Sequence, residues 1–392
     1  GVTTGEKIFL IQMALFAAGV ATIIQTVGYK NIGARLPIIQ GTSFAFIPIM
    51  LPFKAFGLGA IFTAAFIGGI FQIWIGKMLK PIRHMFPPLV TGIVVLMIGI
   101  SLLKVGFKYA GGGVWLMNNK PEIFANWHHL TIAGTVLIVA LFTNLKGRGM
   151  VSSASILIGI IAGFVVAAML GEVRWDKIAA AGWFAFPMPL QYGIDFVWGA
   201  VILMLFMSIV TTIETIGDIS ATTMGGANRE ATDKELSGGI MADGVGTAFA
   251  SIFNAMPNTS YSQNAGLVAF TGVISRHVGT VAGVILILLG LFPKLGGIIA
   301  AMPDSVIGGA AIIMFGLIAG AGIKLISKSE MSQRNILILS LSLSFGIGLY
   351  AFPEFVAHVP DLGIKLGLLL TTGLIPAGLL AFILNAILPK KN

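Results

Sequence analysis

PNTSYSQNAGLVAFT, residues 257–271, and the segment 37–52, which begins PIIQGTSFAFIPIML, are the two stretches that decide the fold of this chain. Each begins with proline, continues with small and polar residues, and only then becomes apolar. Each is too short and too interrupted to form a membrane-spanning helix, which needs about 20 apolar residues. This order predicts a short extended strand followed by a half-helix. Such a backbone is tolerated at membrane depth only where protein or a water-filled cavity satisfies its amides.

The sequence around these two segments is strongly apolar. Of its 392 residues 56% are hydrophobic and 10% are charged, and the mean hydropathy is +0.96. A soluble domain has about 25% charged residues. Apolar segments long enough to cross a bilayer lie at 8–27, 57–78, 86–104, 130–145, 151–170, 194–216, 240–256, 276–295, 303–327, 333–352 and 363–388. The sequence therefore predicts an all-α polytopic membrane protein.

The composition also excludes several classes of function. Cysteine is absent, which removes disulfides, thiol nucleophiles and zinc–thiolate sites. The five histidines lack the spacing of metal ligands, so we expect no metal and no cofactor. The net charge of +9 comes from Lys and Arg residues in short gaps between apolar runs. That placement follows the positive-inside rule rather than a nucleic-acid-binding surface.

Several positions repeat at nearly constant offsets along the chain. Pro37 matches Pro257 at an offset of 220, and Gly69 matches Gly283 at 214. Pro87, Gly92 and Gly106 match Pro303, Gly308 and Gly322 at 216. These offsets predict two repeats, 1–170 and 194–392, with the two interrupted segments in equivalent places. Paired interrupted segments are the best sequence pointer to the binding site of a transporter.

The repeat has a consequence for the number of segments. The helix at 194–216 opens the second repeat, and its counterpart would precede residue 1. We therefore expect a further N-terminal helix, so that the first repeat here holds segments 2–7 and the second holds segments 8–14. An odd number of segments per repeat inverts the second repeat. With residue 1 outside, 15 of the 24 Lys and Arg residues lie on the cytoplasmic side.

Three carboxylates lie within apolar segments rather than in loops. They are Glu214 and Asp218 in LMLFMSIVTTIETIGDIS, and Asp243 in GGIMADGVGTAFASIF. An ionisable group at membrane depth is costly and is a functional candidate by default. Glu214 and Asp218 are four residues apart on one helix face, so the two acids resist ionising together. The alternative is that these groups only form hydrogen bonds between helices.

A second polar cluster, Ser260-Tyr261-Ser262-Gln263-Asn264, follows the second proline. The Gln263 amide offers a donor and an acceptor in one plane. In the other interrupted segment, the aromatic face of Phe44 can stack on a flat ligand. A carboxylate, a carboxamide and an aromatic ring suit a planar heterocycle with alternating C=O and N–H groups. Chemistry alone does not favour this ligand over an amino acid or a small anion. The alternative role for Thr42, Ser260 and Asn264 is to cap the two expected half-helices.

The stretch SQNAGLVAFTGVISRHVG, residues 262–279, resembles the nucleobase–ascorbate transporter family, also called the nucleobase–cation symporter 2 family. The family signature is Gln/Glu/Pro-Asn-x-Gly, four residues, then Thr and Arg, Lys or Gly. Gln263, Asn264, Gly266, Thr271 and Gly272 match every position. IETIGDISAT (213–222), ADGVGT (242–247) and GTSFAFIPIM (41–50) also resemble family segments. Within the family, the bacterial purine and xanthine permeases are the most similar type.

The resemblance implies a seven-plus-seven inverted repeat that is divided into a core domain and a gate domain and is usually dimeric. The core would comprise about 8–78 and 194–295, and the gate about 86–170 and 303–388. The family also implies roles for individual residues. Glu214 would bind the substrate, Gln263 would be the second anchor, Phe44 would stack, and Ser262 would offer backbone contacts. Asn264 would support the motif, Ser43 would affect recognition, and Asp218 and Asp243 would serve proton coupling and core hydrogen bonding.

The resulting expectation is proton-coupled symport of a purine nucleobase across the cytoplasmic (inner) membrane by an elevator-type movement of the core against the gate. The substrate would be xanthine or a close relative such as urate, guanine or hypoxanthine; sodium coupling is the less favoured option. A uracil carrier of the same family is one alternative, although such carriers tend to have Glu where this chain has Gln263. A sulfate-type anion transporter of the same fold is another, but Glu214 would repel an anion. No nucleophile–base pair or channel filter motif favours a membrane enzyme or a channel.

Overall fold

The protein is a bundle of helices around one short strand pair. The computed structural model describes residues 3–78, 87–359, 367 and 370–389. The longer helices are α1 (Thr4–Val27), α2 (Leu58–Lys77), α3 (Pro88–Ala110), α4 (Trp127–Lys146), α5 (Ser155–Met169), α6 (Trp198–Ala227), α7 (Asp233–Ile252), α8 (Ser262–Thr271), α9 (Arg276–Gly290), α10 (Pro293–Ala301), α11 (Asp304–Ile326), α12 (Gln333–Ala351) and α13 (Leu374–Ile387). Shorter helical turns occupy Phe44–Phe46, Ile47–Met50, Leu51–Phe56, Val114–Asn119, Pro121–Ile123, Met150–Ser153, Trp175–Ala180 and Pro353–Ala357.

The described helices confirm the prediction of a multi-pass membrane protein. Seven of them, α1, α2, α3, α4, α6, α11 and α12, are long and apolar enough to cross a bilayer. The pair α9 and α10 makes an eighth span if it is counted as one. The prediction of one continuous segment over 276–295 is wrong, because these two helices meet at an angle of 79°. Pro293 is the first residue of α10 and lacks the N–H that a continuing helix would need.

Other helices also differ from the predicted ranges at their ends, and the largest extensions are those of α6 and α7. Helix α6 continues through polar residues to Ala227, well past the predicted end at 216, and Asn228 in the left-handed conformation ends it. Helix α7 begins at Asp233 rather than 240, where a capping box fixes its start. The Thr232 hydroxyl accepts a hydrogen bond from the Glu235 amide, and the Glu235 carboxylate accepts one from the Thr232 amide. Of the predicted segment 363–388, residues 363–366 and 368–369 lie outside the described residues.

The helices pack into two groups. In the first helix group, α1 packs against α7 and α9, α2 packs against α6 and α7, and α6 packs against α8. In the second helix group, α3 packs against α11 and α13, α4 packs against α5 and α11, and α12 packs against α13. An apolar cluster that includes Phe46, Val94, Met204 and Leu374 joins the two groups. The described residues therefore form one bundle with an apolar seam between its two groups.

Glycines bring the helices of the first group unusually close. A Cβ atom on Gly69 of α2 would lie 2.6 Å from the Gly244 carbonyl oxygen of α7. A Cβ atom on Gly244 would in turn lie 2.6 Å from the Gly69 carbonyl oxygen. Small residues at such crossings let two backbones approach within the membrane, where packing replaces the hydrophobic effect as the driving force.

Both interrupted segments contain the expected strand. Strand β1 (Gln40–Thr42) follows Pro37, and strand β2 (Asn258–Ser260) follows Pro257. The strands pair antiparallel, with Gln40 opposite Ser260, Gly41 opposite Thr259 and Thr42 opposite Asn258. Strand β2 leads into the ten-residue helix α8, whereas β1 leads into the short turns of Phe44–Phe56. The pairing satisfies backbone groups that would otherwise be exposed at membrane depth.

Candidate functional site

The two interrupted segments are fastened together beyond the strand ladder. The Ser43 amide donates to the Pro257 carbonyl at 3.0 Å, and the Tyr261 amide donates to the Ile39 carbonyl at 3.0 Å. These bonds extend the pairing at both ends. Because the two strands are distant in sequence, these hydrogen bonds join parts of the chain that are far apart in the sequence.

Two side chains at the start of α8 also reach across to the first segment. The Asn264 amide nitrogen donates to the Pro37 carbonyl at 2.5 Å. The Tyr261 hydroxyl donates to the Thr42 carbonyl at 3.2 Å, and its ring lies against Gly41. A Cβ atom on Gly41 would lie 2.2 Å from the Tyr261 hydroxyl oxygen, so only glycine leaves room for this ring. The Asn264 side chain therefore helps to hold the two interrupted segments together.

Helix α6 supplies the acidic side chains and contacts both interrupted segments. It packs against α8, β2 and the turn Phe44–Phe46. Glu214 is half-buried, whereas Asp218, one turn later, is buried. Glu214 acts electrostatically on Asp218 and on Asp243, and the Ser262 side chain interacts with Asp218. The structure therefore places Glu214, Asp218, Asp243 and Ser262 close enough for their side chains to interact electrostatically.

Asp243 lies at the centre of a buried hydrogen-bond network. Its carboxylate accepts hydrogen bonds from the Gln40 amide of β1 and from the Thr215 hydroxyl of α6. It also accepts one from the Ser260 hydroxyl of β2 at 3.1 Å. A buried carboxylate is tolerated when several donors surround it. This one connects α6 and α7 to both strands.

Gln40 and Thr215 are site residues that the sequence reasoning did not single out. Gln40 is fully buried, and its backbone amide donates to the Thr22 hydroxyl of α1 at 2.9 Å. Gln25 of α1, also buried, approaches the Ser260 hydroxyl at 3.4 Å. A signal was present in the sequence, since Gln40 immediately precedes GTSFAF and Thr215 immediately follows Glu214. What the sequence could not indicate is that both side chains converge on Asp243.

The remaining predicted residues line the open side of this arrangement. Ser262 and Gln263, in the first turn of α8, are exposed. Phe44 is 39% exposed, and its ring meets the buried ring of Phe315 in α11 edge to face, with centroids 5.4 Å apart. Ser43 is buried, and its hydroxyl accepts from the Ala45 amide at 3.3 Å. Phe44 therefore lies where the two helix groups meet.

Glu214, Gln263 and the start of α8 carry groups that can form hydrogen bonds with a neutral polar ring. The half-buried carboxylate is an acceptor, the Gln263 amide is both a donor and an acceptor, and the N-terminal end of α8 carries a partial positive charge. Within the described ranges, no three His, Cys, Asp or Glu side chains are placed to hold a metal ion.

Sequence comparison places this chain among known permeases. The model of the Permease family (Xan_ur_permease) matches residues 2–355. A Clostridium perfringens protein predicted to be a purine permease is 38% identical over 383 residues, which cover 97% of this chain and 83% of that protein. The xanthine permease XanP of Escherichia coli is 34% identical over 406 residues, covering 100% and 87%. The uric acid permease PucJ of Bacillus subtilis is 33% identical over 387 residues, covering 98% and 85%.

Solved structures of other transporters have the same fold. The transmembrane domain of the cyanobacterial bicarbonate transporter BicA superposes with a TM-score of 0.56 at 15% identity, covering 96% of this chain and 94% of that chain. The murine anion transporter Slc26a9 in its inward-facing state superposes with a TM-score of 0.60 at 15% identity, covering 88% and 63%. At this identity the likeness concerns the fold alone.

Proposed function

Since this chain belongs to the Permease family, we propose that it carries a purine nucleobase across the cytoplasmic membrane, either xanthine or a close relative such as urate, guanine or hypoxanthine. Relatives that align over nearly the whole chain are named as permeases of purines, xanthine and uric acid. Permeases move a solute without changing it chemically, so the chain is a transporter and not an enzyme. The named substrates of these relatives support a purine over uracil.

The observation that carries the proposal is the position of Glu214 on α6, the helix that packs against both interrupted segments. Helix α6 presents this half-buried carboxylate beside the paired strands and the start of α8. In the proposed complex, Glu214 accepts hydrogen bonds from two ring N–H groups, and Gln263 pairs with an adjacent C=O and N–H. Phe44 stacks on the ring, and the Ser262 backbone adds a contact. Ser43 and Asn264 fix the ends of the two segments that shape the slot.

The transport movement in this proposal follows the two helix groups. The first helix group corresponds to the expected core domain, and the second to the expected gate. An elevator-type shift of the core against the gate would expose the slot alternately to each side. The equivalent positions of β1 and β2 support a seven-plus-seven inverted repeat. The proposed functional unit is a homodimer in lipid, in which the gate remains fixed.

Proton coupling is the second part of the proposal. Glu214 and Asp218 lie one helical turn apart and interact electrostatically. Two carboxylates so close cannot both carry a charge at low cost inside a membrane. A proton on this pair would reduce the charge that moves with the loaded core. Protons therefore suit the site better than sodium does.

Uptake of radiolabelled xanthine into proteoliposomes tests both parts. An inwardly directed proton gradient should drive accumulation, and a protonophore should abolish it. Uptake that is independent of the gradient would remove proton coupling while leaving purine transport intact. Competition with unlabelled urate, guanine, hypoxanthine, uracil and sulfate then ranks the substrates. If uracil or sulfate displaced xanthine more effectively than any purine did, the uracil or the anion alternative would replace this proposal.

Binding measurements test the assigned residues. Glu214→Gln and Gln263→Ala should each weaken xanthine binding by about 10- to 100-fold, as expected for the loss of hydrogen bonds to a charged or buried polar group. Glu230→Gln and Gln191→Ala are matched controls, because both residues are exposed outside the site. Unchanged affinity in both site variants would place the slot elsewhere.

A further inference from the structure

A basic groove lies at the end of the first helix group where α2 ends and α7 begins. It has a volume of about 450 Å³, and Lys30, Lys77 and Lys234 line it. The groove forms where the connection after α1, the end of α2 and the start of α7 meet. The Gly33 amide donates to the Gly238 carbonyl of α7 there at 2.7 Å, which joins two sides of the groove. Its volume falls within the range of about 300–1,000 Å³ that is typical of small-molecule sites.

The three lysines of the basic groove give its lining a positive charge. All three are exposed, and none of them forms an ion pair with another described residue. Arg229, at the same end of the molecule, differs: its guanidinium pairs with Glu235 at 2.5 Å. The groove lining contains no carboxylate, and Asn31 adds a neutral side-chain donor. Lys30 Nζ lies over the Tyr29 ring at 5.4 Å, which leaves its charge without an ion-pair partner. Three ammonium groups that lack ion-pair partners among the described residues are complementary to a phosphate.

An apolar strip of α2 runs from the basic groove toward the middle of the membrane. Ile70, Ile73 and Lys77 lie on one helix face, three and four residues apart. Ile73 lines the groove, and Ile70 and Trp74 are each 50% exposed. A tryptophan near a helix end is typical of the membrane–water interface. The surface thus offers a site for a charged group that continues into a surface for an alkyl chain.

The position of the groove indicates which leaflet supplies the ligand. The same end of the first helix group also carries Arg35, Arg229 and Arg276, so the positive-inside rule places it on the cytoplasmic side. The cytoplasmic leaflet contains anionic lipids, and basic pockets between membrane helices on that side bind their headgroups. An anionic lipid can place its headgroup in the basic groove and its acyl chain on the apolar strip of α2. A free anion can occupy only the groove.

We propose that the basic groove binds the phosphate headgroup of an anionic phospholipid, with one acyl chain lying along Ile70 and Trp74. Lys30, Lys77 and Lys234 contact the phosphate, and Asn31 donates to the headgroup. The site is separate from the purine slot and needs no substrate. Because Lys77 belongs to α2 and Lys234 to α7, the lipid fastens these two helices of the first group to each other and to the cytoplasmic leaflet.

Native mass spectrometry of the purified full chain in detergent provides the test, with dioleoyl phosphatidylglycerol as the probe. Each lysine near an anionic surface strengthens binding about fivefold. The triple variant Lys30→Gln, Lys77→Gln, Lys234→Gln should therefore bind this lipid about 100-fold more weakly. The control variant Lys146→Gln, Lys324→Gln, Lys328→Gln removes the same charge from exposed positions at the cytoplasmic ends of α4 and α11. It should bind the lipid within about twofold of the unmodified chain.

Two further probes separate a lipid from a free anion. Dioleoyl phosphatidylcholine, which carries no net charge, should not compete, and glycerol 3-phosphate, which has no acyl chains, should compete only weakly. Equal weakening in both triple variants would mean general surface attraction and would overturn the site. Competition by glycerol 3-phosphate as strong as that by the lipid would assign the groove to a soluble anion instead.

Discussion

Asp243 shows how a single buried carboxyl group can hold several elements of a membrane protein together. Its carboxylate receives hydrogen bonds from Gln40, Thr215 and Ser260, which lie on three different elements. A carboxylate without partners is energetically costly in the membrane interior. Surrounded by hydrogen-bond donors, this carboxylate instead acts as a joint that connects the elements supplying those donors. The joint fixes the end of β2 relative to α6, and Glu214 is the residue that precedes Thr215. The position of the proposed substrate carboxylate therefore depends on a residue that touches no substrate.

Replacing this joint should destabilise the protein. Asp243→Asn turns one accepting oxygen into a donating NH₂ group that faces other donors, so we expect a loss of about 1–3 kcal/mol in the free energy of unfolding. Thermal unfolding of the detergent-solubilised protein measures the change. Asp195→Asn, at an exposed position, should leave the unfolding midpoint unchanged. An unaltered midpoint in Asp243→Asn would show that the network contributes nothing to stability.

At the scale of elements, the proposed binding slot depends on the strand pair and on close helix crossings. The strands are only three residues long, and their flanking bonds involve backbone groups of both segments. So short a ladder is not stable by itself. It persists because α6, α7 and α8 pack around it and because side chains such as Asn264 reach across it.

The contact between Asn264 and Pro37 can be tested by itself. Asn264→Ala removes the bond to the Pro37 carbonyl and leaves that buried acceptor unpaired, so the free energy of unfolding should fall by about 1–3 kcal/mol. Xanthine affinity should fall as well, because the start of α8 is no longer fixed. In Asn119→Ala the lost bond, from the Asn119 amide to the Trp115 carbonyl, is exposed, and both quantities should stay the same. Equal effects of the two variants would contradict a specific role for Asn264.

The crossing of α2 and α7 leaves no room for an added methyl group. Gly244→Ala should destabilise the protein by about 1–3 kcal/mol, because its Cβ would press on the Gly69 carbonyl. Gly134→Ala in α4 meets nothing within 4 Å and should be neutral or slightly stabilising. Thermal unfolding of both variants provides the comparison. Equal stability of the two would mean that the helices can separate at no cost.

At the scale of the molecule, the apolar seam between the helix groups is where movement would occur. Phe206 of α6 lies against Gly378 of α13, where a Cβ atom would be 2.7 Å from the ring. Polar side chains cluster within the first group, around Asp243, and the seam itself is lined by apolar side chains such as Met204 and Val94. Apolar surfaces without hydrogen bonds across them can slide past each other more easily than a bonded interface.

A cross-link across this seam should stop transport if the groups move as proposed. The chain has no cysteine, so Phe206→Cys with Gly378→Cys introduces the only reactive pair. We expect a short bifunctional maleimide to reduce xanthine uptake by more than tenfold, with binding retained. Phe16→Cys with Phe253→Cys, whose rings are 5.3 Å apart within the first group, is the control pair and should leave uptake intact. Full activity of the cross-linked seam variant would rule out the elevator-type shift.

Much of this architecture was predictable from the sequence, and the reasons differ between elements. The prolines and small polar residues at 37–43 and 257–264 predicted both strands, because such a pattern cannot span a bilayer as a helix. The bend between α9 and α10 was missed, since hydropathy averages over Pro293 and the residues around it. Gln40 was missed because its importance comes from Asp243, a residue 203 positions away. Local patterns indicate elements, whereas the convergence of side chains depends on packing.

The pairing of β1 with β2 also constrains how the protein is made. At about 5–20 residues per second, roughly 10–40 s of synthesis separate the two strands on the ribosome. During that interval the first strand must wait inside the insertion machinery or beside it, with its backbone amides unpaired. A truncated product that ends before residue 258 could never complete the ladder. Nascent chains of this length should therefore be targets of membrane quality control, and biogenesis rather than activity would then limit how much active transporter a cell accumulates.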